Sequence, residues 1–136
     1  MRPCRTTDVK QVLELWRRAG AEPSVTDDPG SLRRRLRRDR KLFLLAWDRG
    51  RLVGTLIGGW DGWRGHMYRL AVDPGCRRSG IARRLVANVE ARLQELGAVR
   101  IDGIVVSRNT AASTFWREIG YQRHVEVARY VKDLHP

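Results

Sequence analysis

The residue pattern predicts a mixed α/β layer structure, a mixed α+β sheet fold with elements in the order β-α-α-β-β-β-α-β-α-β. Three observations carry that expectation. Apolar residues recur at helical spacing in four separate segments, and apolar runs of strand length lie between turn-forming residues. The chain of 136 residues, 42% hydrophobic and 31% charged, has the size and composition of one globular unit rather than a disordered tail. With no internal repeat or linker, residues 1–136 are expected to form a single domain.

Taken in order, Arg2 to Arg5 reads as a short strand. Val9, Val12, Leu13 and Trp16 then recur at helical spacing, with Thr7 as the expected cap and Gly20 as the stop. Residues 21–30 hold Pro23, Pro29, Glu22, Asp27 and Asp28 without periodicity and predict a loop. Ser31 is expected to cap a short basic helix whose Leu32 and Leu36 share a face. Two apolar runs, Leu42 to Trp47 and Leu52 to Trp60, flank the turn Asp48-Arg49-Gly50, and a second turn at 61–65 leads to a strand over His66 to Val72. From Gly80 the period changes, with Ile81, Leu85, Val89 and Leu93 on one face up to Gly97. Ile101 to Val106 reads as a strand. Asn109 opens a helix with Ala112, Phe115, Trp116 and Ile119 on one side, and Val125 to Val131 alternates as a final strand.

Composition narrows the function classes. The longest charge-free stretches fall far short of the roughly 20 apolar residues of a membrane span, and the first residues lack a secretory apolar block, so no membrane partner and a cytoplasmic location are expected. Cys4 and Cys76 have neither metal-ligand spacing nor a disulfide framework and read as two reduced thiols. The net charge of +12 invites an anionic partner. Half of it lies between Ser31 and Lys41, but a chain with 24 Arg against 3 Lys favours Arg everywhere, and that run reads as a solvated face, not a nucleic-acid site.

The segment from Leu70 to Ala82 is the informative one. An apolar strand passes into a turn rich in arginine and small residues and then into a helix that starts at Gly80, Ile81 and Ala82. Physically this is an anion cradle, in which the helix start presents unpaired N–H groups, small residues allow close approach and Arg77 and Arg78 supply charge. It is neither a P-loop, which needs Lys followed by Ser or Thr, nor a dinucleotide fingerprint, which needs three glycines.

The hexapeptide Arg77-x-x-Gly80-x-Ala82 resembles the pyrophosphate loop of the GNAT superfamily of acyl-CoA N-acyltransferases. A later motif of that superfamily is matched by Asn109, Ala112, Phe115, Gly120 and Tyr121. The resemblance extends over essentially the whole chain, and Gly58 to Gly65 is similar to small bacterial members of the YpeA type. It implies the GNAT fold and an N-acetyltransferase that moves an acetyl group from acetyl-CoA to an amine by direct attack. It also implies that the backbone of Leu70, Ala71 and Val72 meets the pantetheine arm, that Arg77, Arg78, Ser79, Gly80, Ile81, Ala82 and Arg83 hold the pyrophosphate, and that Asn109, flanked by Phe115, Trp116 and Arg117, bonds a pantetheine amide. CoA is the only cofactor implied, and no metal.

Trp116 stands where many members carry the tyrosine that protonates the departing thiolate, and an indole N–H is no acid at neutral pH. The base matters more than the acid here. A thiolate is a tolerable leaving group, whereas stripping an alkyl ammonium at pH 7 costs about 4.6 kcal/mol. His66, four residues before Leu70 and close to where histone-modifying members place a carboxylate, is the candidate base. It also fits an ordinary strand histidine. Tyr68 and Tyr121 are candidate substitutes for the missing acid.

Trp60, Trp63 and Trp116 with Glu22, Asp27, Asp28 and Asp61 fit an aromatic, acidic pocket for a cationic amine, and the tryptophans equally fit hairpin packing or a homodimer contact. The expected acceptor is a small-molecule amine or a peptide amine. Two other readings stand beside this one: an acyl-CoA sensor without turnover, and a basic nucleic-acid-binding module.

Overall fold

The computed structural model describes residues 1–106 and 108–134 and divides into two compact units, Met1–Ile104 and Val105–Pro136. The first unit holds β1 (Arg2–Pro3), α1 (Val9–Arg18), α2 (Pro29–Leu36), β2 (Phe43–Asp48), β3 (Arg51–Trp60), β4 (Gly65–Val72), α3 (Ile81–Leu96) and β5 (Ile101–Gly103), and the second holds α4 (Thr110–Glu118). The sheet order is β1-β2-β3-β4-β5. Neighbours are antiparallel up to β4, and β5, reached through the α3 crossover, runs parallel to β4.

Both faces of this sheet are covered, which is why its strands read as continuous apolar runs rather than alternating ones. On one face Val9, Val12, Leu15 and Trp16 of α1 and Leu32 and Leu36 of α2 pack with Phe43, Leu45 and Ile57. Cys4 is fully buried in the same cluster, and burial pushes its thiol pKa up to about 12, so it serves as a small apolar side chain. On the other face α3 buries Leu85, Val86, Val89 and Leu93. The helix comes so close to β3 that a Cβ at Gly58 would stand 2.7 Å from Val89 and 3.0 Å from Leu42.

The mixed α/β class is as expected, and several boundaries differ. A 3-10 turn over Thr6–Asp8 leads into α1, and the Asp8 carboxylate, rather than Thr7, accepts the Arg5 N–H at 2.9 Å and the Arg2 guanidinium at 2.7 Å. The second helix begins before Ser31, because Asp28 accepts the Ser31 N–H at 3.0 Å and Pro29 has its φ set for a first helical position. The strand expected over 101–106 is formed only at Ile101–Gly103. The strand expected over 125–131 is not formed. Val125, Val127, Tyr130 and Val131 are exposed, and their own unit offers a helix but no strand to complete a ladder among the described residues.

The close approach of α3 makes a testable contrast. Gly58→Ala is expected to destabilise the protein by about 1–3 kcal/mol through overpacking against a β-branched partner. Gly59→Ala, whose added Cβ meets nothing nearer than 3.4 Å, is expected to unfold within about two degrees of the parent. Thermal denaturation of the two variants checks this.

Candidate functional site

At the C-terminal end of β4 the chain is locked before it turns. The buried Asp73 takes the Gly75 N–H at 2.8 Å on one oxygen and the guanidinium groups of Arg18 and Arg51 at 2.9 and 3.0 Å on the other. These partners, the Gly75 N–H foremost, hold its carboxyl below the usual carboxylate range. A 3-10 turn over Pro74–Cys76 comes next, and the Ser79 hydroxyl closes the loop by donating to the Cys76 carbonyl.

Gly80, at φ +82°, then turns the backbone into α3 from the left-handed region. Because it has no side chain, nothing caps the helix, and the first intrahelical bond runs from the Arg84 N–H to the Gly80 carbonyl at 3.1 Å. The N–H groups of Ile81, Ala82 and Arg83 precede that bond and so have no intrahelical carbonyl to meet, and among the described residues nothing lies within 4 Å of where a Cβ on Gly80 would stand. Arg78 and Arg83 are exposed beside them, while Arg77 reaches back to the Ala19 carbonyl at 3.3 Å. Open donors, a helix dipole and two exposed guanidinium groups suit an anion of several charges.

Along β4 lies a second feature. β5 pairs with it only at Gly65, His66 and Met67, and the last bond is from the Ile104 N–H to the Met67 carbonyl at 3.3 Å. Leu70 to Val72 therefore have no strand partner on that side among the described residues. On the β3 side the register skips, with Tyr68 opposite Ile57 and Ala71 opposite Thr55. Arg69 and Leu70 stand together against Leu56 as a β-bulge, with Arg69 at φ +58°. A bulge frees backbone groups from the ladder and aims them elsewhere.

His66 and Tyr68 stand side by side on β4, ring centroids 6.2 Å apart. The His66 ring lies between two carboxylates, with Nε2 at 3.3 Å from Asp61 and Nδ1 at 3.8 Å from Asp102. Asp61 is fixed by its own turn, accepting the N–H groups of Trp63 and Arg64 at 2.8 Å each. Those two amides foremost, with His66, hold its carboxyl below the usual range. A groove of about 370 Å³ opens beside His66, lined by Trp60, Asp61, Arg35, Arg38 and Asp39. Arg35 donates to the Gly58 and Asp39 carbonyls, and burial lowers its pKa.

In the second unit Asn109 caps α4, its side-chain oxygen accepting the Ala112 N–H at 3.0 Å. Trp116 is buried, with Phe115 and Tyr121 edge-on to it at 5.7 and 4.9 Å between centroids. Gly120, at φ +99°, turns the chain so that the Tyr121 N–H bonds the Trp116 carbonyl at 3.0 Å. Arg117 is exposed on the same helix.

Residues 9–121 match the profile of the acetyltransferase (GNAT) family. The chain belongs to this family. It is 36% identical over 135 residues to an acetyltransferase (plu1384) of Photorhabdus laumondii, covering 98% of this chain and 94% of the relative. Among solved structures it is similar to the aminoglycoside 6'-N-acetyltransferase AAC(6')-IG of Acinetobacter haemolyticus, with a TM-score of 0.76, 20% identity, and coverage of 98% of each chain. It is also similar to the PaiA N-acetyltransferase of Thermoplasma acidophilum solved with coenzyme A, with a TM-score of 0.79 and 17% identity, covering 89% of this chain and 87% of that one.

For a GNAT chain, the sequence-predicted residues fall into two groups. His66, Tyr68, Leu70 to Val72 and Arg77 to Arg83 lie together along β4 and the start of α3, while Asn109, Phe115, Trp116, Arg117 and Tyr121 lie together in the second unit. The acids expected to form a cationic-amine pocket are largely engaged within the protein: Asp28 caps α2, Asp27 pairs with Arg69 at 2.6 Å, and Asp61 holds its turn. Trp63 is 70% exposed and stacked under Arg64. The basic residues of 31–41 are exposed except for Arg35. Two residues of the site, Arg69 and Asp102, do not stand out in the sequence; an arginine inside an apolar strand is the available signal for the first, and none marks the second. Among the described residues no group of three or more His, Cys, Asp or Glu side chains is arranged to hold a metal ion, and no helix is long and apolar enough to cross a membrane.

Asp73 supplies a pH test. Its lowered carboxyl contributes stability above the ordinary carboxylate range, and that contribution is lost as pH falls through the lowered value. Asp73→Asn is expected to melt several degrees below the parent at pH 7, with the gap closing below about pH 4. Melting curves across that range check it.

Proposed function

We propose that this chain is an acetyl-CoA-dependent N-acetyltransferase that works as one catalytic domain and takes a small-molecule or peptide amine as acceptor. The observation that carries the reading is the uncapped start of α3, with open N–H groups behind Gly80 and exposed Arg78 and Arg83 beside them. The GNAT neighbour solved with coenzyme A and the N-acetyltransferases among the neighbours support the donor and the nitrogen acceptor.

Acetyl-CoA, when bound, supplies the acetyl group as an activated thioester. The α3 start and its arginines hold the diphosphate. The unpartnered edge of β4 at Leu70, Ala71 and Val72 offers backbone groups to the amide-rich arm, as an added strand would use them; within the second unit, Asn109, flanked by Phe115, Trp116 and Arg117, is the candidate for bonding a pantetheine amide. N–H groups at the bulge polarise the thioester carbonyl. His66 takes the proton from the attacking amine, with the groove beside it receiving the acceptor. Tyr121, edge-on to Trp116, supplies the hydroxyl that Trp116 lacks, and Tyr68 is the second candidate for protonating the departing thiolate.

Acetyl-CoA is expected to raise the melting temperature of the parent and of Gly80→Asn, since asparagine tolerates the left-handed region and adds no charge. Gly80→Asp is expected to abolish the rise by setting a carboxylate against the diphosphate; a rise that survives in Gly80→Asp counts against the site. An amine panel monitored by thiol release identifies the acceptor, and on that acceptor His66→Ala is expected to lower kcat by about 10²-fold or more. A wild-type rate in His66→Ala would remove histidine from the proton path.

A further inference from the structure

Arg69 is held in the left-handed region, at φ +58°, a conformation that glycine adopts freely and arginine does not. Its carbonyl accepts the Thr55 hydroxyl at 3.0 Å, and that hydroxyl, fully buried, accepts the Trp16 indole N–H at 2.8 Å. Its guanidinium lies 5.1 Å from the centre of the Trp16 ring. From there it donates to both oxygens of Asp27, at 2.6 and 2.8 Å, and to the Glu22 carbonyl at 2.8 Å. Both Asp27 and Glu22 belong to the segment between α1 and α2.

A bulge needs neither the Asp27 nor the Glu22 bond in order to form. Glycine at this position would relieve the backbone, so an arginine whose donors converge on one loop has a different task. The ion pair is largely shielded from water, with the two side chains 19% and 20% exposed; one nitrogen, Nη2, serves both Asp27 oxygens while Nη1 holds the Glu22 carbonyl, so a single charge-assisted group fixes two points of the loop. The loop and the bulge are thereby tied to one point on the face of the sheet that also carries His66.

Resting on the acetyl-CoA reading, we propose that Arg69 is a positioning residue for the transfer step: its pairing with Asp27 sets the direction of the bulge N–H groups that polarise the thioester carbonyl. It acts through the backbone and touches neither substrate. Because the loop between α1 and α2 and the carbonyl-binding backbone share this anchor, disturbing the loop disturbs the polarisation.

The test uses [1-¹³C]acetyl-CoA on the full chain and on two variants, Arg69→Gly, which keeps the backbone conformation without the clamp, and Asp27→Ala, which removes the partner and leaves β4 untouched. The parent is expected to lower the bound ¹³C=O stretching frequency relative to free acetyl-CoA. Both variants are expected to bind, seen as a retained thermal shift with acetyl-CoA, while the stretch returns most of the way to the free value. Variants that bind and keep the parent frequency overturn the inference, as do variants that lose binding altogether, since the pair would then serve affinity or folding. A parent that binds without lowering the frequency overturns the inference and the role of the bulge. A parent that acetyl-CoA does not stabilise overturns the donor reading first, and this inference with it.

Discussion

The buried hydroxyl of Thr55 accepts from the Trp16 indole and donates to the Arg69 carbonyl, so one side chain joins a helix, the centre of the sheet and the irregular point of β4. This chain of bonds determines where β4 leaves the regular ladder. Upstream of it, Gly65 to Met67 pair on both sides, with β3 and with β5. Downstream, one edge of the strand has no strand partner among the described residues. A buried polar group left without its bond is costly, so the three members hold one another in place.

The next stretch of chain builds on that point. Val72 leads directly to Asp73, whose carboxylate gathers Gly75, Arg18 and Arg51 and so anchors the turn from which α3 departs. The far side of the sheet sets the seat of α3, because a glycine at 58 lets Val89 approach β3 closely. The start of α3 is therefore held from two directions while its own N–H groups stay open. Rigid surroundings around an unsatisfied backbone are what an anion site needs, since the donors are already oriented before the ligand arrives.

Much of the fold is legible in the residues. The apolar runs of β2 and β3 and the four-residue repeat of α3 are strong periodic signals, and these elements lie close to their expected limits. The uncapped start of α3 is legible too, because Gly80 between Ser79 and Ile81 is a local feature that needs no distant partner. Helix caps are harder to read: Thr7 and Ser31 both have the right chemistry, but Asp28 caps α2 and α1 follows a 3-10 turn without a side-chain cap. Alternation over 125–131 predicts a strand that does not form, because it describes a face without saying what will pair with it. Arg69 escapes a reading of the sequence because nothing in the residues beside it announces a left-handed backbone; its contacts run to Trp16, Thr55 and Asp27, which are remote in sequence.

The amino-acid sequence alone determined the class of fold, its GNAT resemblance and the glycine-led helix start, because each rests on short-range periodicity or on a residue's own conformational range. Only the tertiary structure decided that β4 bulges at Arg69, that it parts from β5 after Met67, and that His66 stands between Asp61 and Asp102. Those features come from register and from side chains brought together across the sheet, and pairing between distant segments leaves no local trace in either partner.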